Sequence, residues 1–160
     1  MNPAHVHLWI SHLPIFGSFL GSLVLIHGIW SKNLQTKIAA YNLFILSGIG
    51  AAIAYKVGEE AEEIVEHIQG VMQGAIETHE EFAAIALTST LILAVSAVVG
   101  LIASSLKSVH ARKISFGILI LALISFGLSA RTGYLGGKIR HTEIDASPIP
   151  AEEQGEEDRD

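Results

Sequence analysis

The sequence of 160 residues contains no cysteine, which excludes disulfides and thiolate metal ligands. It also contains no nucleophile elbow, no phosphate-binding glycine loop and no basic patch of the kind that binds nucleic acid. Acidic residues are missing from its first 58 positions, because Glu59 is the first of sixteen. We therefore expect no nucleic-acid partner, and any metal site has to use imidazole and carboxylate ligands.

Long apolar runs dominate what is present. Half of the residues are hydrophobic, 16% are charged and the mean hydropathy is +0.47, which is too apolar for a soluble domain of this size. Four runs, at 8–30, 38–57, 82–106 and 114–135, each contain about 20 residues or more, enough to cross a hydrocarbon core of about 30 Å. They carry Ser, Thr and Gly where a soluble bundle would carry a charged stripe. The sequence predicts an all-α, integral membrane four-helix bundle of up-down-up-down topology.

The basic residues of two short connections set the orientation of this bundle. The first connection holds Lys32 and Lys37, the third holds Lys107, Arg112 and Lys113, and neither holds an acid. The positive-inside rule places both connections in the cytoplasm. We therefore expect a multi-pass protein of a bacterial inner membrane, with the N- and C-termini and all acidic residues on the periplasmic side.

Local signals place helix ends and domain limits. Asn2-Pro3 predicts a helix that begins near Pro3, and the first run lacks the basic leading region of a signal peptide. Pro14 has no amide hydrogen, which predicts a kink or loosened turns nearby. Thr78 followed by Glu81 predicts a capping box at the start of the third long helix. We expect a transmembrane domain over 1–145, an outer connection over 58–81, and a disordered acidic tail over 146–160.

Alternating helices bring most of the histidines to one side of the membrane. Six of the eight lie on the periplasmic side of this topology: His5, His7, His12, His67, His79 and His141. His12 and His79 are expected at the same depth on different helices. At 100° per residue, His7 points about 140° away from His12. The other two, His27 and His110, are expected at the opposite interface and in a solvated loop.

Several neighbouring features bear on a site at this end. Gly17 and Gly21 permit either a close helix crossing or the flat face of a planar cofactor. Arg131 lies just inside the outer interface, where a cation requires a partner, either a glutamate of the outer connection or an anionic cofactor group. The pair Gly136-Gly137 either ends the last helix or brings its backbone close to another group.

Three short motifs stand at the periplasmic end of the predicted bundle. They are His7-x4-His12-Leu13-Pro14-Ile15, the histidine at the head of the third long helix, His79, and Gly136-Gly137-x3-His141. These motifs resemble those of a poorly characterised bacterial family of predicted four-helix inner-membrane proteins, which typically show a His-Pro-x3-His-Phe-Pro-Ile start and a Gly-Gly-x3-His end. Leu8 stands where that pattern has proline, and the acidic stretch 58–67 is not part of it. The resemblance implies a membrane bundle with histidine-ligated haem or metal, with His7, His12, His79 and His141 as ligand positions.

The first function consistent with these features is haem b binding through two axial histidines. His12 and His79 are the simplest pair, and His7 and His141 are further ligand positions. Gly17 and Gly21 would make room for the ring, and Arg131 or Lys138 would meet a propionate. Bis-histidine iron has no open coordination position, so the role would be electron transfer near the periplasmic face rather than oxygen chemistry.

Two other functions remain open. A non-haem zinc, iron or copper site would draw its ligands from His5, His12, Glu59, Glu63, His67, His79, Glu80 and His141. A third possibility is an accessory subunit of a larger membrane complex without a cofactor. Of the three, we favour the haem b protein, as an electron carrier or subunit rather than a self-contained enzyme, with the lipid bilayer and a respiratory or redox membrane complex as partners.

Overall fold

The structure is a computed structural model that describes residues 3–65 and 73–140. These residues form five helices: α1 (Pro3–Ile10), α2 (His12–Trp30), α3 (Leu34–Val65), α4 (Gln73–Ser105) and α5 (Ala111–Arg140). Together α1 and α2 supply one candidate membrane span, His5–Trp30, and each of the other three helices supplies another. The predicted all-α bundle of four apolar spans is confirmed. The predicted tail, 146–160, and the middle of the outer connection, 66–72, lie outside the described residues.

A break at Ser11 divides the first span into α1 and α2. Pro14 explains the break, because proline has no amide hydrogen for the carbonyl of Ile10, four residues earlier. The first helix is described from Pro3 onward. The helix α1, which precedes the break, packs against the C-terminal half of α3, where His7 contacts Ala54.

The four spans close into a ring. In this ring α2 packs against α3, α3 against α4, α4 against α5, and α5 returns to α2. Consecutive spans are antiparallel, so two distinct ends result. The histidine end comprises α1, the end of α3, the start of α4 and the end of α5; the basic end comprises the connections 31–33 and 106–110. The first span and α4 are diagonal, and inward side chains from these two therefore meet at the bundle axis.

The glycines of α2 form a close helix crossing. An added Cβ at Gly21 would lie 2.5 Å from Cε1 of Phe44, and one at Gly17 would overlap the hydroxyl of Ser47. Both neighbours belong to α3, so the spacing of the two glycines serves the packing of α2 on α3. The expectation that Gly17 and Gly21 make room for a cofactor ring is thereby wrong, because Phe44 and Ser47 fill that space.

The core combines apolar side chains with hydroxyl groups. Its largest fully buried members include Tyr41, Phe44, Leu25 and Leu93. Buried hydroxyls donate to carbonyls of their own helix, as seen at Ser18, Ser22, Thr90 and Ser115. Such internal bonds satisfy polar groups where water is absent, and large aliphatic side chains cover the outside of the bundle. This distribution fits a protein surrounded by lipid.

Two helix ends differ from those predicted. The helix α4 begins at Gln73, so Thr78 lies inside it and donates its hydroxyl to the carbonyl of Gly74 at 2.7 Å. The predicted capping box is therefore wrong, because an interior threonine bonds back to the preceding turn. The helix α5 continues through Gly136 and Gly137 to Arg140, so the glycine pair does not end it.

Candidate metal centre

His7 connects α1 to α3 at the histidine end. Its Nδ1 donates to the backbone carbonyl of Ala54 at 2.9 Å. Gly58 lies one turn beyond that carbonyl, and a Cβ added there would be 3.1 Å from Cε1 of the imidazole. The glycine therefore gives the ring the space to reach the carbonyl. Because a carbonyl oxygen only accepts, the neutral ring carries its proton on Nδ1 and keeps a lone pair on Nε2.

His79 makes the same arrangement between α4 and α5. Its Nδ1 donates to the backbone carbonyl of Thr132 at 3.0 Å. Gly136 stands one turn beyond that carbonyl, and an added Cβ would lie 3.0 Å from Cε1 and 3.3 Å from Nδ1. In both cases the imidazole donates to a backbone carbonyl of the next helix in the ring. It also packs on the glycine four residues after that carbonyl. The repetition fixes the same tautomer in both histidines.

The two imidazoles meet across the bundle axis. Their ring centroids are 6.4 Å apart and their planes are 85° from parallel. Neither Nε2 has a protein partner within the described residues. One imidazole from each of two diagonal helices therefore lies in this edge-to-face contact.

This pattern is characteristic of metal-ligating histidines, which usually give the second ring N–H to a carbonyl or carboxylate that fixes their orientation. With a metal–nitrogen bond of about 2.0 Å, two imidazoles that ligate one ion have centroids about 5–6 Å apart. The observed 6.4 Å is slightly longer, and the same distance and angle occur in the edge-to-face contact of His27 with Trp30.

His12, the predicted partner of His79, lies in a different environment. Its side chain is exposed, its Nδ1 donates to the carbonyl of Leu8 in its own chain segment at 2.7 Å, and its ring stacks on Phe16. His7, which the sequence also predicted as a ligand position, is the histidine that contacts His79. The packing of α1 on α3 turns His7 toward the axis. Ligation by His12 stays a prediction.

The remaining predicted ligands lie around this pair or beyond the described residues. His5, Glu59 and Glu80 are exposed. The positions of His67 and His141, and the side chain of Glu63, are not among those described. Within 3–65 and 73–140 there is no group of three His, Asp or Glu residues that could hold a metal ion. Of the predicted ligand positions, the described part of the chain brings His7 and His79 into contact.

Arg131 has aromatic neighbours. Its guanidinium carbon lies 5.7 Å from the ring centroid of Phe82 and 5.4 Å from that of Tyr134, and Nζ of Lys138 lies 5.1 Å from the same tyrosine ring. These cation–π contacts stabilise the guanidinium where the sequence predicted a carboxylate or an anionic cofactor group. The side chain is exposed, so it stays available to an anion.

The carbonyls of Ala54 and Thr132 and the role of Gly58 were not anticipated from the sequence. The one available signal was Gly136, whose motif indicated a close approach by its backbone.

At the basic end, His27 and Trp30 are exposed and in edge-to-face contact, and His110 is exposed, as predicted.

No family model, no curated protein and no solved structure matches the chain. The resemblance to the bacterial four-helix family stays a prediction.

Proposed function

We propose that His7 and His79 are the axial ligands of a haem b at the periplasmic end of the bundle, and that the protein transfers electrons. The observation that carries this proposal is the matched pair of Nδ1-to-carbonyl bonds, which leaves both Nε2 atoms as acceptors. A haem can be held by two protein ligands, whereas zinc sites use three or four. Among the described residues two histidines are in contact, and no group of three His, Asp or Glu residues is found.

The bound haem would supply one-electron chemistry, since two imidazoles leave its iron no open position. The chain contributes the orientation of both ligands. The carbonyls of Ala54 and Thr132 hold the Nδ1 protons, and Gly58 and Gly136 leave room for the rings. The close packing of α2 on α3 at Gly17 and Gly21 leaves those positions no role in holding the group.

The setting supports a role as an electron carrier or subunit in a respiratory or redox membrane complex. The spans are apolar enough to lie in a bilayer. Lys32, Lys107 and Arg112 at the opposite end support a cytoplasmic position for that end and a periplasmic one for the haem.

An optical spectrum of the detergent-purified protein tests the proposal. We expect a Soret band and an α band that sharpen on reduction with dithionite. The variants His7→Ala and His79→Ala should each lose the pigment, while His12→Ala and the control His110→Ala should keep it. Circular dichroism and gel-filtration profiles establish that each variant is folded.

Other outcomes contradict the assignment in distinct ways. Retention of haem in both His7→Ala and His79→Ala would reject this ligand pair, and loss in His12→Ala with retention in His7→Ala would restore the pair predicted from sequence. A colourless protein with stoichiometric zinc, iron or copper would replace haem with a non-haem site, which needs a third ligand such as His67 or His141.

A further inference from the structure

A groove between α2 and α5 opens at the basic end, far from the histidine pair. A cavity of about 430 Å³ lies there, lined by Ile26, Ile29, Trp30, Lys32, Arg112 and Phe116 among others. A second cavity of about 170 Å³ adjoins it and is lined by Ile29, Lys32, Lys37, Arg112 and Ser115. Lys32 and Arg112 line both cavities, so the two form one continuous feature with a cationic centre.

The cations of this groove converge from three different elements. Lys32 follows α2, Lys37 lies in the first turn of α3, and Arg112 lies in the first turn of α5. The sequence holds no acid before Glu59 and none between positions 82 and 142, so no carboxylate of these segments neutralises them. The positive-inside rule accounts for basic loops in general, but it does not require three of the cations to line one groove.

The helix ends add to the positive potential. The N-terminus of a helix carries partial positive charge, which acids usually offset in the first turn. The first turns of α3 and α5 contain no acid and instead contain Lys37 and Arg112. A bound anion would relieve this repulsion, and phosphate oxygens suit both lysine and arginine donors.

The rest of the groove is apolar. Ile26, Ile29, Phe116 and Leu119 extend from the cations toward the middle of the bundle, and Trp30 stands exposed at the interface. A small free anion would occupy the cationic part and leave the apolar wall unused. A ligand with a phosphate and a hydrocarbon chain would use both.

We infer that this groove binds an anionic phospholipid of the leaflet at the basic end. Its phosphate meets Lys32, Lys37 and Arg112, and one acyl chain lies along α2 and α5. Since the groove is separate from the histidine end, this inference does not depend on metal binding.

Fluorescence quenching by brominated lipids measures the preference directly. The chain has two tryptophans, and the Trp9→Phe variant leaves Trp30 as the reporter at the groove. The protein is reconstituted into phosphatidylcholine vesicles that contain brominated phosphatidylglycerol, and separately into vesicles with brominated phosphatidylcholine. We expect stronger quenching by the anionic lipid at equal mole fraction.

Two double variants with equal charge changes test the assignment. One basic residue near a membrane contributes about a fivefold preference for anionic lipid. The double variant Lys32→Gln with Arg112→Gln should therefore reduce the preference for the anionic lipid about fivefold for each cation removed, down to no preference at most. Lys107→Gln with Lys113→Gln removes two cations of the same end that do not line either cavity, and should retain it. If the first double variant does not fold, Lys32→Gln alone serves.

Three results would overturn the inference: equal quenching by the two lipids in the Trp9→Phe protein, an equal loss of preference in both double variants, or relief of quenching by millimolar inorganic phosphate. The last result would assign the groove to a free anion. Haem or metal content, measured in the same samples, is expected to stay unchanged in both double variants.

Discussion

Gly136 lies four residues after Thr132, whose carbonyl accepts from His79. The variant Gly136→Ala tests whether this glycine positions His79, the proposed ligand. The added Cβ would lie 3.0 Å from Cε1 and 3.3 Å from Nδ1 of His79, closer than ordinary van der Waals contact. The imidazole has to move by a few tenths of an ångström, and its 3.0 Å bond to the carbonyl of Thr132 weakens as it does so. Loss of such an orienting contact typically lowers metal affinity about 10- to 100-fold.

The neighbouring Gly137→Ala is a matched control. Among the described residues, a Cβ at this position meets no atom within 4 Å beyond its chain neighbours and its own helix backbone, yet the substitution brings the same gain in helix propensity. The difference between the two variants therefore isolates the contact with His79. We expect Gly136→Ala to be less stable than Gly137→Ala by about 1 kcal/mol, the net contribution of one hydrogen bond.

Haem titration of the apoprotein in detergent, followed at the Soret band, gives the affinity of each variant, and denaturant unfolding gives the stability. Weaker binding by Gly136→Ala with unchanged binding by Gly137→Ala is the expected result. Equal affinity of the two variants would show that the close approach of His79 to Gly136 does not orient the imidazole for haem binding.

Three further predictions concern the fold, and thermal or denaturant unfolding in detergent measures each. Tyr41→Phe should cost about 1 kcal/mol, because it removes a buried 2.8 Å bond to Ser115; no loss would mean that the hydroxyl pair contributes nothing. Gly21→Ala should cost about 1–3 kcal/mol, since the new Cβ meets the ring of Phe44, and a neutral effect would contradict the close crossing. Lys107→Gly should stabilise by about 1 kcal/mol, because Lys107 holds a φ of 52°; a loss would show that its charge outweighs this strain.

The spans could be predicted from the sequence because the bilayer imposes a length. A run of about 20 apolar residues has few alternatives to a membrane helix. Hydropathy, however, marks only the part of a helix that lies in the hydrocarbon core. The helical backbone hydrogen bonds continue beyond the ends of the apolar run. The second apolar run was predicted over 38–57, whereas α3 extends over Leu34–Val65, and α4 begins nine residues before Phe82, the first residue of the predicted third run.

Which histidines face each other could not be predicted from the sequence. The 100° step relates His7 to His12 only along an unbroken helix, and the break at Ser11 interrupts it. Whether His7 points inward depends on how α1 packs on α3, a tertiary contact with no local signature. Topology could bring the right elements to one end, but it could not choose among the histidines within them.

A purely structural role for the two histidines explains less of the geometry than ligation does. One imidazole bonded to a neighbouring carbonyl is an ordinary way to satisfy a half-buried side chain. Here the same device appears on both helix pairs, with the glycine one turn beyond the carbonyl each time. If His7 and His79 served packing alone, nothing would require both Nε2 atoms to lack a partner among residues 3–65 and 73–140. A leucine at either position would fill the space without a polar group. The proposed metal between the two imidazoles would account for the repeated tautomer, for the meeting of diagonal helices and for both glycines.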